Sequence, residues 1–204
     1  IEWIERYIGA GEVFYDIGAN VGAYSLVAAR KPGGGARVYS FEASYFNFGS
    51  LCANIVLNDA GDLVTPLPVA LSDTTGMTVF NLRDLEAGAA RHGLGDQPPE
   101  DGATVFRQPV MMYRLDDLVE RFTLPLPQHI KLDVDGGEVA VLEGATRTLQ
   151  SPALKSMLVE VTTALSRPVS ERLEACGLRR ESRIGVTNKE GEEGVWYGLF
   201  VRDR

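Results

Sequence analysis

Two clusters of glycine and acidic residues give this chain side chains that could bind a ligand and act on it. The first, Asp16-Ile17-Gly18-Ala19-Asn20-Val21-Gly22, follows a short apolar run with the spacing D-x-G-x-x-x-G. The second, Ile130-Lys131-Leu132-Asp133-Val134-Asp135-Gly136-Gly137-Glu138, places three acids after another apolar run. Glycine lets the backbone turn tightly against a ligand, and a positioned carboxylate can take a proton or hold a cation. Together the two segments predict a ligand site with acid–base chemistry.

The glycine loop differs from the dinucleotide fingerprint G-x-G-x-x-G. Counted from Gly18, that fingerprint needs glycine where this chain has Asn20 and Ala23. A pyrophosphate group requires a close backbone cradle, whereas a methionine group carries an ammonium that a nearby carboxylate such as Asp16 can bind. The loop therefore favours S-adenosylmethionine over NAD. The alternative is an ordinary strand-to-helix turn, with Gly18 and Gly22 present for geometry alone.

An acid at the end of the second apolar run strengthens the prediction of a cofactor site. Glu42 closes the segment Val38-Tyr39-Ser40-Phe41-Glu42, about 20 residues beyond the loop, where a carboxylate can accept hydrogen bonds from ribose hydroxyls. This spacing serves NAD equally well, so it indicates an adenosine group and not one particular cofactor. The alternative is a solvated acid at a helix start.

The acid cluster offers candidates for the chemical step. In an extended segment Asp133 and Asp135 point the same way, and Glu138 falls in the first turn of the next helix. Acids are favourable at a helix start, so Glu138 and Asp135 could be capping residues. Asp133 directly follows the apolar strand and is harder to explain as a cap. We see no histidine pair and no further ligands at convincing positions, so we expect no metal.

Short apolar runs alternating with amphipathic stretches must position these residues, and this pattern predicts an α/β fold with a doubly wound, mostly parallel sheet. The predicted strands are Val13–Ile17, Arg37–Phe41, Leu63–Ala70, Val110–Tyr113, Ile130–Val134, Leu158–Val161, Arg179–Ile184 and Val195–Val201. The predicted helices are residues 2–9, Val21–Arg30, Phe46–Leu57, Leu115–Arg121, Glu138–Leu149 and Val169–Cys176. The last two strands are expected to pair in antiparallel fashion through the polar segment 187–191.

The middle of the chain is less regular. Leu71–Leu82 reads as a hairpin that turns at Thr74-Thr75-Gly76. Residues 83–108 are rich in glycine, proline and charge, which is typical of a functional loop, here a lid over the acceptor. His92 lies in this loop and could act as a base, although a lone loop histidine is more often solvated. His129 precedes a strand at the far end of the sheet and is expected to be structural.

Composition limits the class of partner. The net charge is −8 and the pI about 4.9, which disfavours a nucleic-acid substrate. We find no apolar run of the roughly 18–20 residues that a membrane span needs. Residues 1–204 are expected to form a single domain, and the start at Ile1 instead of Met indicates a truncated N-terminus. Cys52 and Cys176 have no metal-type spacing and read as buried free thiols.

Taken together, the motifs resemble the FkbM family of methyltransferases, from about residue 13 to residue 161. The matching pieces are Asp16–Gly22, Phe41-Glu42-Ala43, Asn47, Leu51, Asn54, Val69–Asp73, Leu115-Asp116, Ile130–Gly136, Glu138, Val141-Leu142, Gly144-Ala145 and Val159-Glu160. In two places the chain departs from the family pattern. Ala43 stands where the family usually has proline, and Asp135 stands where it usually has glutamate.

The resemblance implies a seven-stranded, Rossmann-like class I methyltransferase sheet whose last strand is antiparallel. It also implies S-adenosylmethionine as methyl donor and, usually, a hydroxyl acceptor on a sugar or a polyketide-type natural product. Carried over by position, the family's site residues are these: Asp16, Gly18, Asn20 and Gly22 on the methionine part, Glu42 on the ribose with Ala43 beside it, Ala70, Leu71 and Ser72 around the adenine, and Asp133 near the sulfonium and the acceptor.

Methyl transfer to a hydroxyl needs in-line alignment and a general base. Asp133 is the first candidate for that base, with Asp135, Glu138, Glu160 and His92 as the others. The competing hypotheses are an NAD-linked oxidoreductase, a cofactor-binding module without turnover, and a methyltransferase that acts on nitrogen or on a protein. A cytoplasmic location is expected, since the cofactor is made there and no targeting signal is seen. The acceptor's identity and the oligomeric state stay open.

Overall fold

A seven-stranded sheet forms the centre of the molecule, and a four-stranded sheet lies beside it. The computed structural model describes residues 1–96, 99, 103–187 and 193–203. The strands are β1 (Val13–Ile17), β2 (Arg37–Phe41), β3 (Val64–Leu67), β4 (Ala70–Leu71), β5 (Gly76–Leu82), β6 (Gly93–Leu94), β7 (Phe106–Tyr113), β8 (His129–Leu132), β9 (Ser156–Thr162), β10 (Leu178–Thr187) and β11 (Glu193–Arg202). The helices are α1 (Glu2–Tyr7), α2 (Ala23–Ala29), α3 (Tyr45–Leu57), α4 (Leu115–Phe122), α5 (Glu138–Gly144), α6 (Thr146–Gln150) and α7 (Ser166–Ala175), with one 3₁₀ turn at Thr163–Leu165.

The large sheet has the order β10-β11-β9-β8-β1-β2-β3 and confirms the predicted doubly wound architecture. In the row β3-β2-β1-β8-β9, each strand is parallel to its neighbours. The last strand, β11, is antiparallel to both β9 and β10, as the resemblance implies. The chain runs outward through β1, β2 and β3 and then returns to place β8 on the other side of β1. This reversal creates the cleft at the carboxyl ends of the strands where such sheets bind ligands.

Both faces of the central strands β1 and β8 are buried, which explains why these strands are continuous apolar runs in the sequence. Successive β1 side chains alternate between two apolar cores: Val13 and Tyr15 pack in the core that also holds Leu142 and Leu149. Phe14 packs in the other core with Trp3 and residues of α2 and α3. One layer of helices therefore covers each face.

The region between β3 and β8 differs from the prediction. The third strand ends at Leu67, and Ala70–Leu71 joins the smaller sheet, whose order is β4-β7-β5-β6. The predicted hairpin Leu71–Leu82 is wrong, because β7 lies between β4 and β5 and pairs with both. Residues 83–108 are also not a continuous loop, since they contain β6 and the start of β7. Both errors involve pairing between segments distant in sequence, which a local turn signal cannot reveal.

The predicted helix Glu138–Leu149 is in fact two helices that meet at Ala145. Its second half begins anew because the Asp116 carboxylate accepts hydrogen bonds from the backbone amides of Arg147 and Thr148, each at 2.8 Å. The antiparallel pairing of the last two strands is confirmed. Of the polar segment expected to join them, residues 188–191 lie outside the described residues.

A buried polar chain closes the end of the sheet opposite the cleft. Trp3 Nε1 donates to Ser156 Oγ over 3.0 Å, and Ser156 Oγ lies 2.8 Å from His129 Nδ1. His129 Nε2 is in turn 2.8 Å from Glu12 Oε2. His129 is therefore placed as a structural residue, as the sequence predicts. Among the described residues, no helix has the length and apolar character needed to span a bilayer.

Candidate active site

A cavity of about 490 Å³ opens at the carboxyl ends of β1, β2 and β8. Its volume lies within the range of roughly 300–1,000 Å³ that small-molecule sites occupy. Ten of the predicted site residues line it: Gly18, Asn20, Glu42, Ala43, Ala70, Leu71, His92, Asp133, Asp135 and Glu160. Four others, Asp16, Gly22, Ser72 and Glu138, do not belong to its wall.

The glycines of the β1–α2 loop are required by close packing. Gly18 has φ +76°, and a Cβ there would lie 1.7 Å from the Asp133 carbonyl oxygen. Gly22 has φ +91°, and a Cβ there would lie 2.5 Å from Leu51 Cδ1. Any side chain at either position would lift the loop away from β8 or from α3. The loop therefore packs closely on β8 and α3, and the cavity lies on its other side.

One face of α3 supports this loop and explains two of the motif residues. Leu51 packs beneath Gly22, and Asn54 Nδ2 donates to the carbonyl of Val21 over 2.9 Å. Asn47, one turn earlier on the same helix, lines the cavity itself.

Asp16 lies one layer beneath the cavity. Its side chain is fully buried, and its Oδ2 accepts a 2.6 Å hydrogen bond from Ser25 Oγ, which also contacts Ser40 Oγ at 2.7 Å. Its Oδ1 is 3.6 Å from Lys131 Nζ. In this structure Asp16 supports the cavity floor through Ser25 and Lys131, and its direct contact with the methionine part stays a prediction.

Lys131 is the site residue that sequence reasoning missed. Its ammonium is 3.1 Å from Asp133 Oδ2 and donates to the Gly18 carbonyl over 3.0 Å, and it lies 5.0 Å from the Tyr24 ring centroid. Burial opposes its charge, but Asp16 and Asp133 outweigh burial and raise the pKa of Lys131. The available signal was a lysine inside an apolar central strand, where an unpaired charge is rarely found.

Glu42 stands at the end of β2 with its carboxylate in the cavity wall. Its side chain is buried, and it accepts hydrogen bonds from the backbone amides of Asn20 at 2.7 Å and Ser44 at 2.8 Å. Burial raises the pKa of Glu42 to about 7, despite those two amides. Each carboxylate oxygen keeps a second lone pair, so the group can still accept from a ligand's hydroxyls.

The opposite side of the cavity is largely apolar. Ala70 and Leu71 line it as predicted, together with Phe80 and Leu94 from the small sheet. Ser72 is buried behind this wall, where its carbonyl oxygen packs against Gly144: a Cβ on Gly144 would lie 1.9 Å from that oxygen. A flat apolar ring of a ligand would fit against this side.

Residues 88–92, which we call the strap, cross the mouth of the cavity. Asn47 Nδ2 donates to the Ala89 carbonyl over 2.9 Å, and Asn47 Oδ1 accepts from the Gly88 amide at 2.9 Å. Asn20 Nδ2 also donates to the Ala89 carbonyl, over 3.3 Å. At the other end, the Arg91 amide donates to Asp135 Oδ2. The strap is thus tied to the β1–α2 loop, to α3 and to the turn after β8, and its role as a lid stays a prediction.

His92 ends the strap and is buried, so the expectation of a solvated histidine is wrong. Its Nδ1 accepts a 3.2 Å hydrogen bond from the Arg83 amide, and its ring meets Phe80 edge-on at 5.4 Å between centroids. Burial lowers the pKa of His92, against the pull of Asp135. It is a neutral member of the apolar wall.

Two of the acidic candidates for the base accept hydrogen bonds from backbone amides. Glu138 is buried outside the cavity, where its Oε1 accepts from the amides of Gly136 at 3.1 Å and Val134 at 3.4 Å. Asp135 has φ +54° and anchors the strap through Arg91. Burial raises the pKa of both carboxyl groups. These contacts stabilise the turn after β8, and a catalytic role for either residue stays a prediction.

Asp133 and Glu160 also face the cavity. Both Asp133 and Tyr197 are near enough to Glu160 to act on its pKa. Burial, followed by the charge of Asp133, raises the pKa of Glu160 to about 7. In the described part of the chain, no group of three or more His, Cys, Asp or Glu residues could hold a metal ion.

Comparison with known proteins finds a matching family model and a curated relative. A sequence model of the methyltransferase FkbM domain matches residues 16–179. The hexuronic acid methyltransferase AglP of Haloferax volcanii is 30% identical to the chain over 150 residues, which are 74% of this chain and 56% of that protein. The chain therefore spans little more than half the length of this curated relative.

Solved structures with the same fold include two methyltransferases. The methyltransferase FkbM of Methylobacillus flagellatus KT superimposes with a TM-score of 0.64 at 14% identity, over 93% of this chain and 43% of that one. The precorrin-6y C5,15-methyltransferase of Geobacter metallireducens GS-15 gives 0.55 at 19% identity, over 98% and 83% of the two chains. At these identities the likeness establishes the fold.

Proposed function

The chain belongs to the FkbM methyltransferase family, and from that membership we propose that it transfers a methyl group from S-adenosylmethionine to a hydroxyl oxygen of a sugar or a similar natural product. The observation that carries the proposal is the composition of one cavity wall. The same cavity is lined by Glu42, which we assign to the ribose, and by Asp133 and Glu160, which we assign to the acceptor. Residues 1–204 would act as a single methyltransferase domain.

The residues present fit S-adenosylmethionine. Asn20 Oδ1 is buried in the cavity wall and has no hydrogen-bond partner among the described residues, so it offers an acceptor to a ligand's ammonium group. The described wall also contains four carboxyl groups against two basic side chains, which suits a ligand that carries an ammonium and a sulfonium. These lining residues are Glu42, Asp133, Asp135, Glu160, Arg91 and Lys131.

The chain's own residues would contribute binding, alignment and exclusion of water. Glu42 would accept hydrogen bonds from the ribose hydroxyls, and the wall around Ala70, Leu71 and Phe80 would take the adenine. The strap would close over the cofactor and keep water out. When bound, S-adenosylmethionine supplies a methyl group on a positively charged sulfur. Alignment of acceptor, methyl carbon and sulfur in a dry site can supply much of the rate.

The choice of acceptor rests on two observations. The relative AglP is named for action on a hexuronic acid, which supports a carbohydrate acceptor. The net charge of −8 disfavours a nucleic acid. We place the reaction in the cytoplasm, where the cofactor is made.

Methyl transfer can be tested directly. The purified chain is incubated with methyl-labelled S-adenosylmethionine and separate panels of hexuronic acids, neutral sugars, polyketide-type alcohols, protein and RNA. We expect label in a sugar or polyketide product as an alkali-stable methyl ether, and no label in protein or RNA. A Glu42→Ala variant, with the ribose contact removed, should transfer much less. Label found in protein or RNA, or in a nitrogen-linked methyl group, would contradict the proposed acceptor.

A further inference from the structure

Three side chains from neighbouring strands meet at the acceptor end of the cavity. Glu160 on β9 and Tyr197 on β11 are directly opposite in the antiparallel register, so their side chains share one face of the sheet. Asp133 follows β8, the strand on the other side of β9. The Glu160 carboxyl group is therefore flanked by a phenol on one side and a carboxylate on the other.

The two carboxyl groups differ in their relation to Lys131. Within the described part of the chain, the Lys131 ammonium forms ion pairs with Asp133 at 3.1 Å and Asp16 at 3.6 Å, and none within 4.0 Å with Glu160. An adjacent cation favours the ionised form of a carboxyl group and makes it a weaker base. Of the pair, Glu160 is therefore the carboxyl group without an adjacent cation, and we expect a proton that enters the site to reside on it.

We propose that Glu160, and not Asp133, is the general base of the reaction, with Asp133 fixed by Lys131 as the acceptor's hydrogen-bond partner and Tyr197 as a positioning residue for Glu160. This assignment rests on the proposed methyl transfer to a hydroxyl. It replaces the sequence-based choice of Asp133 as the base.

In the proposed step, the acceptor O–H bond breaks and its proton passes to the Glu160 carboxylate. An oxygen lone pair forms the new bond to the methyl carbon, while the carbon–sulfur bond breaks and leaves its electron pair on sulfur. The products are a methyl ether, a neutral thioether and protonated Glu160, which afterwards loses its proton to water.

The charges around Glu160 suit this role. Burial and Asp133 raise its pKa to about 7, while Tyr197 and Lys131 act in the opposite direction. Tyr24 on α2 also faces Glu160. Burial raises the pKa of Tyr24, which is further affected by the charges of Lys131, Asp133, Glu160 and Asp16. A base whose pKa lies near the working pH transfers protons most effectively.

The test compares three variants, Glu160→Gln, Asp133→Asn and Tyr197→Phe, in the methyl-transfer assay across pH 5–9. Glu160→Gln should lower kcat by about 10²–10⁴-fold and abolish the acidic limb of the profile near pH 7. Asp133→Asn should act mainly on the acceptor KM and move that limb to lower pH, because a neighbouring negative charge is gone. Tyr197→Phe should move the limb to higher pH and leave it present. A limb that survives in Glu160→Gln and disappears in Asp133→Asn would overturn the assignment.

A second readout does not depend on turnover. Carbon-13 NMR of the ligand-free protein, labelled at the glutamate and aspartate carboxyl carbons, reports which carboxyl group titrates near neutral pH at the acceptor end. We expect Glu160, identified by loss of its signal in Glu160→Gln, with cofactor affinity retained in calorimetry. Titration of Asp133 in its place would overturn the assignment even in an inactive preparation. No transfer to any hydroxyl by an S-adenosylmethionine-binding wild type would refute the proposed function and with it the catalytic role, whereas the titration would still report on the carboxyl pair.

Discussion

Asn47 and Gly88 are joined across the mouth of the cavity, because the Asn47 side-chain oxygen accepts a 2.9 Å hydrogen bond from the Gly88 amide. The nitrogen of the same side chain donates to the next carbonyl, that of Ala89, over 2.9 Å. One buried side chain on α3 thus binds the Gly88 amide and the Ala89 carbonyl of the strap, which lies 41 residues further along the chain.

Asn47→Ala should therefore loosen the strap and weaken cofactor binding. Loss of these two part-buried hydrogen bonds costs about 1–3 kcal/mol, equivalent to roughly five- to 150-fold in affinity. Calorimetry would measure the affinity, and hydrogen exchange of the strap amides should rise in parallel. Ser50→Ala on the same helix, whose hydroxyl contacts only the Phe46 carbonyl among the described residues, is the matched control. Unchanged exchange and affinity in Asn47→Ala would show that the strap is held by other contacts.

Gly18→Ala should destabilise the protein by about 2 kcal/mol or more, since the new Cβ meets the Asp133 carbonyl oxygen at 1.7 Å and the backbone is left-handed there. Gly49→Ala is the control. Gly49 lies inside α3 with nothing within 4 Å of a new Cβ, so the substitution should stabilise the helix by about 0.5–1 kcal/mol. Urea unfolding of the two variants measures the contrast. Equal stabilities would mean that the loop can rise from β8 without cost.

Much of this site could be predicted from the sequence because its residues follow strands that are continuous apolar runs. Glu42 and Asp133 end β2 and β8, and the carboxyl ends of parallel strands meet at one edge of a sheet. The glycines at 18 and 22 marked the loop because their backbone conformations are unusual.

The remaining features depend on contacts between distant segments. Ala70–Leu71 could not be assigned to a second sheet, because its partner is β7 and no local pattern connects the two. The split after Gly144 depends on the Asp116 carboxylate, which reaches the start of α6 from α4. Lys131 was overlooked because its immediate neighbours in sequence are apolar, and because Asp16, its second anionic partner, meets it only when β1 pairs with β8.

Acid should weaken the end of the sheet opposite the cavity. Burial opposes ionisation of Glu12, but hydrogen bonds from Lys155, Gly9 and His129 outweigh it and lower its pKa to about 2. A carboxyl group with a lowered folded-state pKa stabilises the protein above its unfolded value of 4.5, and this contribution is lost as the pH falls towards 2.

Glu12→Gln should therefore cost about 1–3 kcal/mol at pH 7 and little at pH 2, where wild type and variant converge. Urea unfolding at several pH values measures the difference, and Glu2→Gln at an exposed position of α1 is the control. A difference that is constant with pH would show that Glu12 acts by packing and not by charge. Cofactor affinity should not change in either variant.

Cofactor affinity should rise with pH through neutrality. Glu42 has a pKa of about 7 because it is buried, and ribose hydroxyls bind its ionised form. Below that value a proton must leave on binding, so affinity should fall by up to about tenfold per pH unit. S-adenosylhomocysteine, which has no charge on sulfur, is the suitable probe because it separates the ribose contact from effects of the sulfonium. Glu42→Gln should bind more weakly and without this pH dependence; a variant that keeps the dependence would place the titrating group elsewhere.

Calorimetric titration with S-adenosylmethionine, S-adenosylhomocysteine and NAD tests the central claim most directly, because every proposed role depends on which cofactor the cavity holds. Wild type should bind both sulfur compounds and not NAD, and Glu42→Ala should weaken that binding while Ser50→Ala leaves it unchanged. Selective binding of NAD, or equal binding of the sulfur compounds by Glu42→Ala and wild type, would contradict the account of this cavity as an S-adenosylmethionine site.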